Sequence, residues 1–89
     1  MNSNKSWVLQ VDDTVYKFLA RIPRRDSKRI LFVIQDLPHN PFRGDIQKMK
    51  GESNVWRKRV GSYRIRYELI PQEKVIHVFL AERRTSSSY

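Results

Sequence analysis

The stretch that decides the fold is Val55-Trp-Arg-Lys-Arg-Val-Gly-Ser-Tyr-Arg-Ile-Arg-Tyr-Glu-Leu-Ile70, followed after Pro71-Gln-Glu-Lys74 by Val75-Ile-His-Val-Phe-Leu80. Side chains alternate between the two faces of a strand, and Gly61-Ser62 is the natural centre of a tight hairpin turn. With that pair as the loop, Val60 lies opposite Tyr63, Arg59 opposite Arg64, and Arg57 opposite Arg66. The other face carries Trp56, Val60, Tyr63, Ile65, Tyr67 and Leu69, with Lys58 as its one exception. Like charges directly opposite one another destabilise a sheet. A ribbon with four facing arginines is therefore expected to hold a counter-anion.

A second turn at Gln72-Glu73 sets Ile76, Val78 and Leu80 beside Leu69, Tyr67 and Ile65. The same alternation puts His77, Phe79, Ala81 and Arg83 on the arginine face, and Arg84 on the other. One register thus gives three strands an apolar face and a cationic face, as a correct assignment should.

Upstream, Trp7–Val11 reads as a short strand. Asp12, Asp13 or Thr14 can cap a helix whose apolar positions Val15, Phe18, Leu19 and Ile22 recur at helical spacing. Pro23 punctuates that helix and can open the next one. Ile30, Leu31, Val33, Ile34 and Leu37 supply the packing stripe of the second helix. Pro38 and Pro41 then stop it, and the segment to Asn54 reads as a loop anchored by Ile46 and Met49. The expected fold is α+β: an N-terminal strand and a helical hairpin packed on one face of a curved antiparallel sheet of about four strands, with the first strand beside the last. Residues 1–89 form a single domain in this reading.

Eighty-nine residues support one modest core. There is no cysteine, so disulfides and thiolate metal sites are excluded. The two histidines, His39 and His77, lack metal-ligand spacing, and neither a metal nor a cofactor is expected. No signal-peptide core or membrane-length apolar run is present, which makes the cytoplasm the default location. The formal net charge is +9, and that excess makes a polyanion the leading partner class ahead of an acidic protein or a membrane surface.

Arg57, Arg59, Arg64 and Arg66 are the strongest candidates for contact with such a partner, because a guanidinium is a rigid fork of donors matched to phosphate. Arg83 is expected to reach the same phosphate. His77, beside Glu68, is either a proton-transfer group or one half of a structural pair. Phe79 either stacks on a base or packs under arginine stems. Lys48, Lys50 and Lys58 are general phosphate-attracting charges, whereas Arg84, pointing the other way, reads first as a solvated strand end. Tyr89 is either a disordered free end or folds back to stack on or polarise a substrate. Trp7 and Trp56 read as core, and the loop containing Gly44 and Gly51 lacks the spacing of a phosphate cradle.

The set Leu37-Pro-x-x-Pro41, Lys48-Met-Lys-Gly51, Trp56-Arg-Lys-Arg-Val-Gly-Ser-Tyr-Arg-Ile-Arg-Tyr-Glu68 and Glu82-Arg-Arg-Thr-Ser-Ser-Ser-Tyr89 resembles the RelE/ParE toxin superfamily, on the side of the RelE-like ribosome-dependent mRNA interferases. The resemblance covers nearly the whole chain, and its specific part is the Trp-Arg-x-Arg-Val-Gly-x-Tyr-Arg-x-x-Tyr core. It implies the toxin of a type II toxin–antitoxin system, a metal-independent endoribonuclease that cuts mRNA in the ribosomal A site and so inhibits translation. Its implied partners are a cognate antitoxin and mRNA on the 70S ribosome, with 16S rRNA contacts. By that similarity Arg57, Arg59, Arg64, Arg83 and Tyr89 carry catalysis; Lys48, Lys50, Lys58, Arg66, His77, Phe79 and Arg84 are, beside it, the residues expected to bind RNA or ribosome. Arginine at both strand positions before the hairpin suits charge stabilisation better than proton abstraction. The nuclease reading requires Arg64 and Arg83 on one side of the sheet, close enough to grip one phosphate. Its rivals are a ParE-like inhibitor of DNA gyrase and a non-catalytic RNA- or ribosome-binding module.

Overall fold

The computed structural model describes residues 7–84. The elements run β1 (Val8–Val11), α1 (Asp13–Leu19), α2 (Arg24–Asp36), β2 (Ile46–Lys48), β3 (Val55–Val60), β4 (Tyr63–Ile70) and β5 (Val75–Arg83). The strands form one sheet in the order β1-β5-β4-β3-β2. The α+β expectation is met, including the pairing of first strand with last.

Two features of the sheet differ from expectation. It has five strands, because Ile46–Lys48 pairs with β3 inside the segment expected to be loop. A three-residue strand with one inward residue, Ile46, leaves almost no periodic signal in the sequence. The sheet is also mixed, with β1 parallel to β5 and every other pair antiparallel. Three successive reversals carry the chain from β2 to β5, and β1 joins the far side of β5 only after the two helices have intervened. Direction at that edge is therefore free of any hairpin constraint.

β4 is the axis of the domain. Tyr63, Ile65, Tyr67 and Leu69 are buried on its helix side, while Arg64, Arg66, Glu68 and Ile70 stay half-exposed on the other. From above, α2 contributes Ile30 and Ile34, with Leu37 at its C-cap, and α1 contributes Val15 and Leu19. Spacings of four and seven put these side chains on one stripe. Fully burying each such aliphatic group contributes roughly 2 kcal/mol. Phe32 lies off the stripe and is 70% exposed.

The side-chain cap expected of α1 is absent, while Pro23 leads into α2 as expected. Asp12 is the residue before α1, yet its carboxylate makes no cap hydrogen bond; it accepts from His77 instead. Pro23 precedes α2 and has no side-chain donor or acceptor to offer. The loop after α2 is held by the hydroxyl of Tyr67, which donates to the Pro41 carbonyl at 2.6 Å. Burial pushes that phenol up to about 12. Among the described residues no helix is long and apolar enough to cross a membrane.

Candidate nucleic-acid interface

The hairpin forms in the expected register. Arg57 pairs with Arg66, Arg59 with Arg64, and Val60 with Tyr63. Gly61 sits in the turn at φ +60°, where a side chain would be strained. An added Cβ would also come within 3.1 Å of the Arg29 guanidinium.

The four arginines avoid mutual repulsion by reaching outwards in two pairs. On the β2 side, Arg57 donates to Gln47, and Arg59 lies 3.6 Å from Asp45. On the β5 side, Arg64 Nε donates to Glu82 Oε2 at 2.9 Å, and Arg66 approaches the same oxygen at 3.4 Å. Adjacent strands lie about 5 Å apart and same-face neighbours about 7 Å apart along a strand. The four positions thus frame a small rectangle over the β3–β4 seam, open to solvent on the face away from the helices.

β5 does not complete this site as the sequence predicts. Its register follows expectation from Val75 to Val78, with Glu68 opposite His77 and Tyr67 opposite Val78. Arg66 then pairs with Leu80, leaving Phe79 as an extra residue in a β-bulge. A bulge of one residue exchanges the faces of everything after it. Ala81 and Arg83 consequently join the helix side, paired with Ile65 and Tyr63, while Glu82 comes to the arginine side opposite Arg64. Leu80 likewise pairs with Arg66 instead of covering Ile65.

Arg83 is therefore not part of the arginine rectangle. Its guanidinium lies over the Tyr63 ring, 4.9 Å from the centroid, and donates to the Tyr63 hydroxyl at 3.2 Å. That hydroxyl in turn donates to Asp26 Oδ2 at 2.6 Å, and the bond to Asp26 holds the phenol above its ordinary range. Arg64 and Arg83 stand on opposite sides of the sheet, so a single phosphate gripped by both is ruled out.

The remaining candidates scatter. Lys58 pairs with Ile65 and Ile46 and so belongs to the helix side, where burial lowers its ammonium below the usual lysine value. Lys48, opposite Trp56 at the β2 edge, shares that side, and Lys50 is exposed in the turn beyond. Arg84 stays at the hairpin: its amide donates to Ser62 at 2.7 Å, and its guanidinium reaches the Gly61 carbonyl at 3.4 Å. His77 does sit opposite Glu68, but its Nε2 lies 2.7 Å from Asp12 Oδ1. Four paired positions separate it from Glu82, roughly 13 Å along the strand. It keeps the face expected of it, that of Arg64 and Arg66, and there ties β5 to the start of α1. Phe79 packs half-buried near the His77 ring, with centroids 6.0 Å apart. Tyr89 lies outside the described residues.

Sequence reasoning missed Asp45, Gln47 and Glu82, the groups that answer the arginines. The unbroken apolar run Val78-Phe79-Leu80-Ala81 was the available signal, since strict alternation cannot bury both Val78 and Ala81.

Known proteins share this architecture. Residues 6–85 match the family described as ParE toxin of type II toxin-antitoxin system, parDE. The chain belongs to the RelE/ParE toxin superfamily. Toxin RelE3 of Methanocaldococcus jannaschii is 38% identical over 60 residues, covering 63% of this chain and 68% of the relative. A RelE1 protein of the same archaeon is 28% identical over 79 residues, covering 85% and 88%. The archaeal RelE–RelB complex from Pyrococcus horikoshii superposes with a TM-score of 0.80 at 24% identity, over 93% of this chain and all of its counterpart. These relatives place the chain among the RelE-like members. Among the described residues no cluster of acidic or histidine side chains could hold a metal ion.

Proposed function

We propose that this chain is the toxin of a type II toxin–antitoxin pair and stops translation by cutting mRNA in the ribosomal A site. The observation that carries this reading is the frame of Arg57, Arg59, Arg64 and Arg66 on one open face. Guanidinium forks at that spacing suit the nonbridging oxygens of a phosphodiester, and phosphate contacts dominate affinity for nucleic acid. In the reaction, the ribose 2′-oxygen bonds to phosphorus as the bond to the 5′-oxygen breaks. The products are a 2′,3′-cyclic phosphate and a 5′-hydroxyl. The arginines stay protonated throughout and stabilise the charge that builds on the phosphate. The 2′-hydroxyl gives up its proton as it attacks and the leaving 5′-oxygen takes one up, while the ribosome aligns the substrate. Cleavage is accordingly expected on ribosomes and not on free RNA.

The bulge at Phe79 separates Arg64 from Arg83, so the condition that the sequence reading set for cleavage, both arginines on one phosphate, is not met; the cleavage proposed here rests instead on Arg57, Arg59, Arg64 and Arg66 alone. The same fact favours a second reading, a toxin that acts without cutting RNA, as a ParE-like inhibitor of DNA gyrase would. Primer extension on mRNA bound to purified ribosomes, alongside a gyrase supercoiling assay, separates the two. The first reading expects A-site cleavage that falls at least about a hundredfold, on the scale of lost charge stabilisers, in the double variant R57A/R64A. Full cleavage by that variant refutes the site, and loss of supercoiling with intact mRNA selects the second reading. Structural relatives have been solved with the antitoxin RelB, which supports a cognate antitoxin here, acidic enough to cover the arginine face or able to displace an edge element.

A further inference from the structure

Glu82 is the one carboxylate described in contact with both Arg64 and Arg66. A single oxygen, Oε2, accepts from Arg64 Nε at 2.9 Å and lies 3.4 Å from an Arg66 terminal nitrogen. Two guanidinium groups converging on one anionic oxygen is the arrangement by which paired arginines hold a phosphate. The carboxylate is not anchored in the core: about 30% of its side chain is exposed, as is a similar share of each arginine. Arg66 also keeps a buried Nε–H with no partner, so Glu82 leaves part of its donor capacity unused. Glu82 reaches this place only because the extra residue Phe79 turns the end of β5 over. Without the bulge, position 82 would face the helices.

From this we infer that Arg64 and Arg66 form an anion seat that Glu82 occupies in the free protein, and that a backbone phosphate of single-stranded RNA takes the seat by displacing the carboxylate. Glu82 is then an internal competitor that sets how tightly the face holds RNA. The inference rests on the phosphate-gripping reading of the arginine face, but it concerns binding and needs no cleavage. A partly exposed ion pair is weak enough to be exchanged for a phosphate at modest cost, and removing the competitor also removes a negative charge beside the incoming ligand.

The test measures fluorescence anisotropy with a short 2′-O-methyl oligouridylate, which lacks the attacking hydroxyl and so cannot be cut. Wild type is compared with Glu82→Gln, which keeps the shape, and with Glu73→Gln. Glu73 lies in the β4–β5 turn at the opposite end of β5 and provides the same change in net charge. Glu82→Gln is expected to bind about tenfold tighter than wild type, and Glu73→Gln less than about twofold tighter, the generic effect of one remote, screened charge. Equal gains in the two variants overturn the proposal. A second measurement uses wild type alone: the Arg64 Nε–Hε resonance should shift as the oligouridylate saturates, and an unmoved resonance at saturation overturns the proposal equally. If the oligouridylate binds no variant even at low salt, the phosphate-gripping reading itself fails.

Discussion

Replacing Tyr67 by phenylalanine removes one oxygen from the centre of the molecule and leaves its shape nearly intact. The lost hydroxyl donates to the Pro41 carbonyl at 2.6 Å from a fully buried ring. A typical hydrogen bond contributes about 1 kcal/mol net, and a buried acceptor left without a partner costs about 1–3 kcal/mol. Because Pro41 itself is buried, water has poor access to that carbonyl, and the expected loss is about 2 kcal/mol. In a domain of this size, that lowers the melting temperature by about 8–16 °C. Urea unfolding followed by circular dichroism should show the lower midpoint with an unchanged slope. The pH dependence adds an independent signature. The folded-state pKa is pushed up to about 12 from an ordinary value of 10.0, so the folded state prefers the neutral phenol. That preference contributes fully below pH 10 and is lost as pH rises through about 12. The stability gap between wild type and Y67F should therefore be constant at neutral pH and narrow above pH 10. A gap below about 0.5 kcal/mol at pH 7, under the range for a net hydrogen bond, would refute the idea that this contact holds the loop after α2 to the sheet.

Two further predictions concern the hairpin and the misplaced lysine. Gly61→Ala should destabilise by about 1–2 kcal/mol, the cost of a left-handed backbone for a residue with a Cβ, and chemical denaturation should show it; an unchanged midpoint would mean that the turn relaxes freely. Lys58→Met should leave stability unchanged or raise it by up to about 1 kcal/mol, since a half-buried ammonium is replaced by an apolar chain of similar length. Burial lowers the Lys58 pKa, so wild type should regain stability relative to Lys58→Met as pH rises from the folded pKa towards 10.5. A clear loss of stability in Lys58→Met at pH 7 would show that the charge is needed where it stands.

The local pattern was enough to establish the hairpin. Gly61-Ser62 between two alternating runs dictates the facing of Arg57 with Arg66 and of Arg59 with Arg64, and the structure reproduces both pairs. The helical stripe Ile30, Ile34, Leu37 was legible for the same reason, because periodicity along the chain becomes a face in space. β2 was not legible, since three residues are too few to show a period.

What only the tertiary structure decided is the far end of β5. A strand read from sequence is assumed to alternate without interruption, and that assumption put Arg83 beside Arg64. The bulge at Phe79 breaks the alternation so that Ala81 can pack over the core while Glu82 meets the arginines. Whether one residue is extruded depends on packing and charge balance across three strands at once. No local window of the chain contains that balance, and so the identity of the arginines was readable in advance while their counter-charge was not.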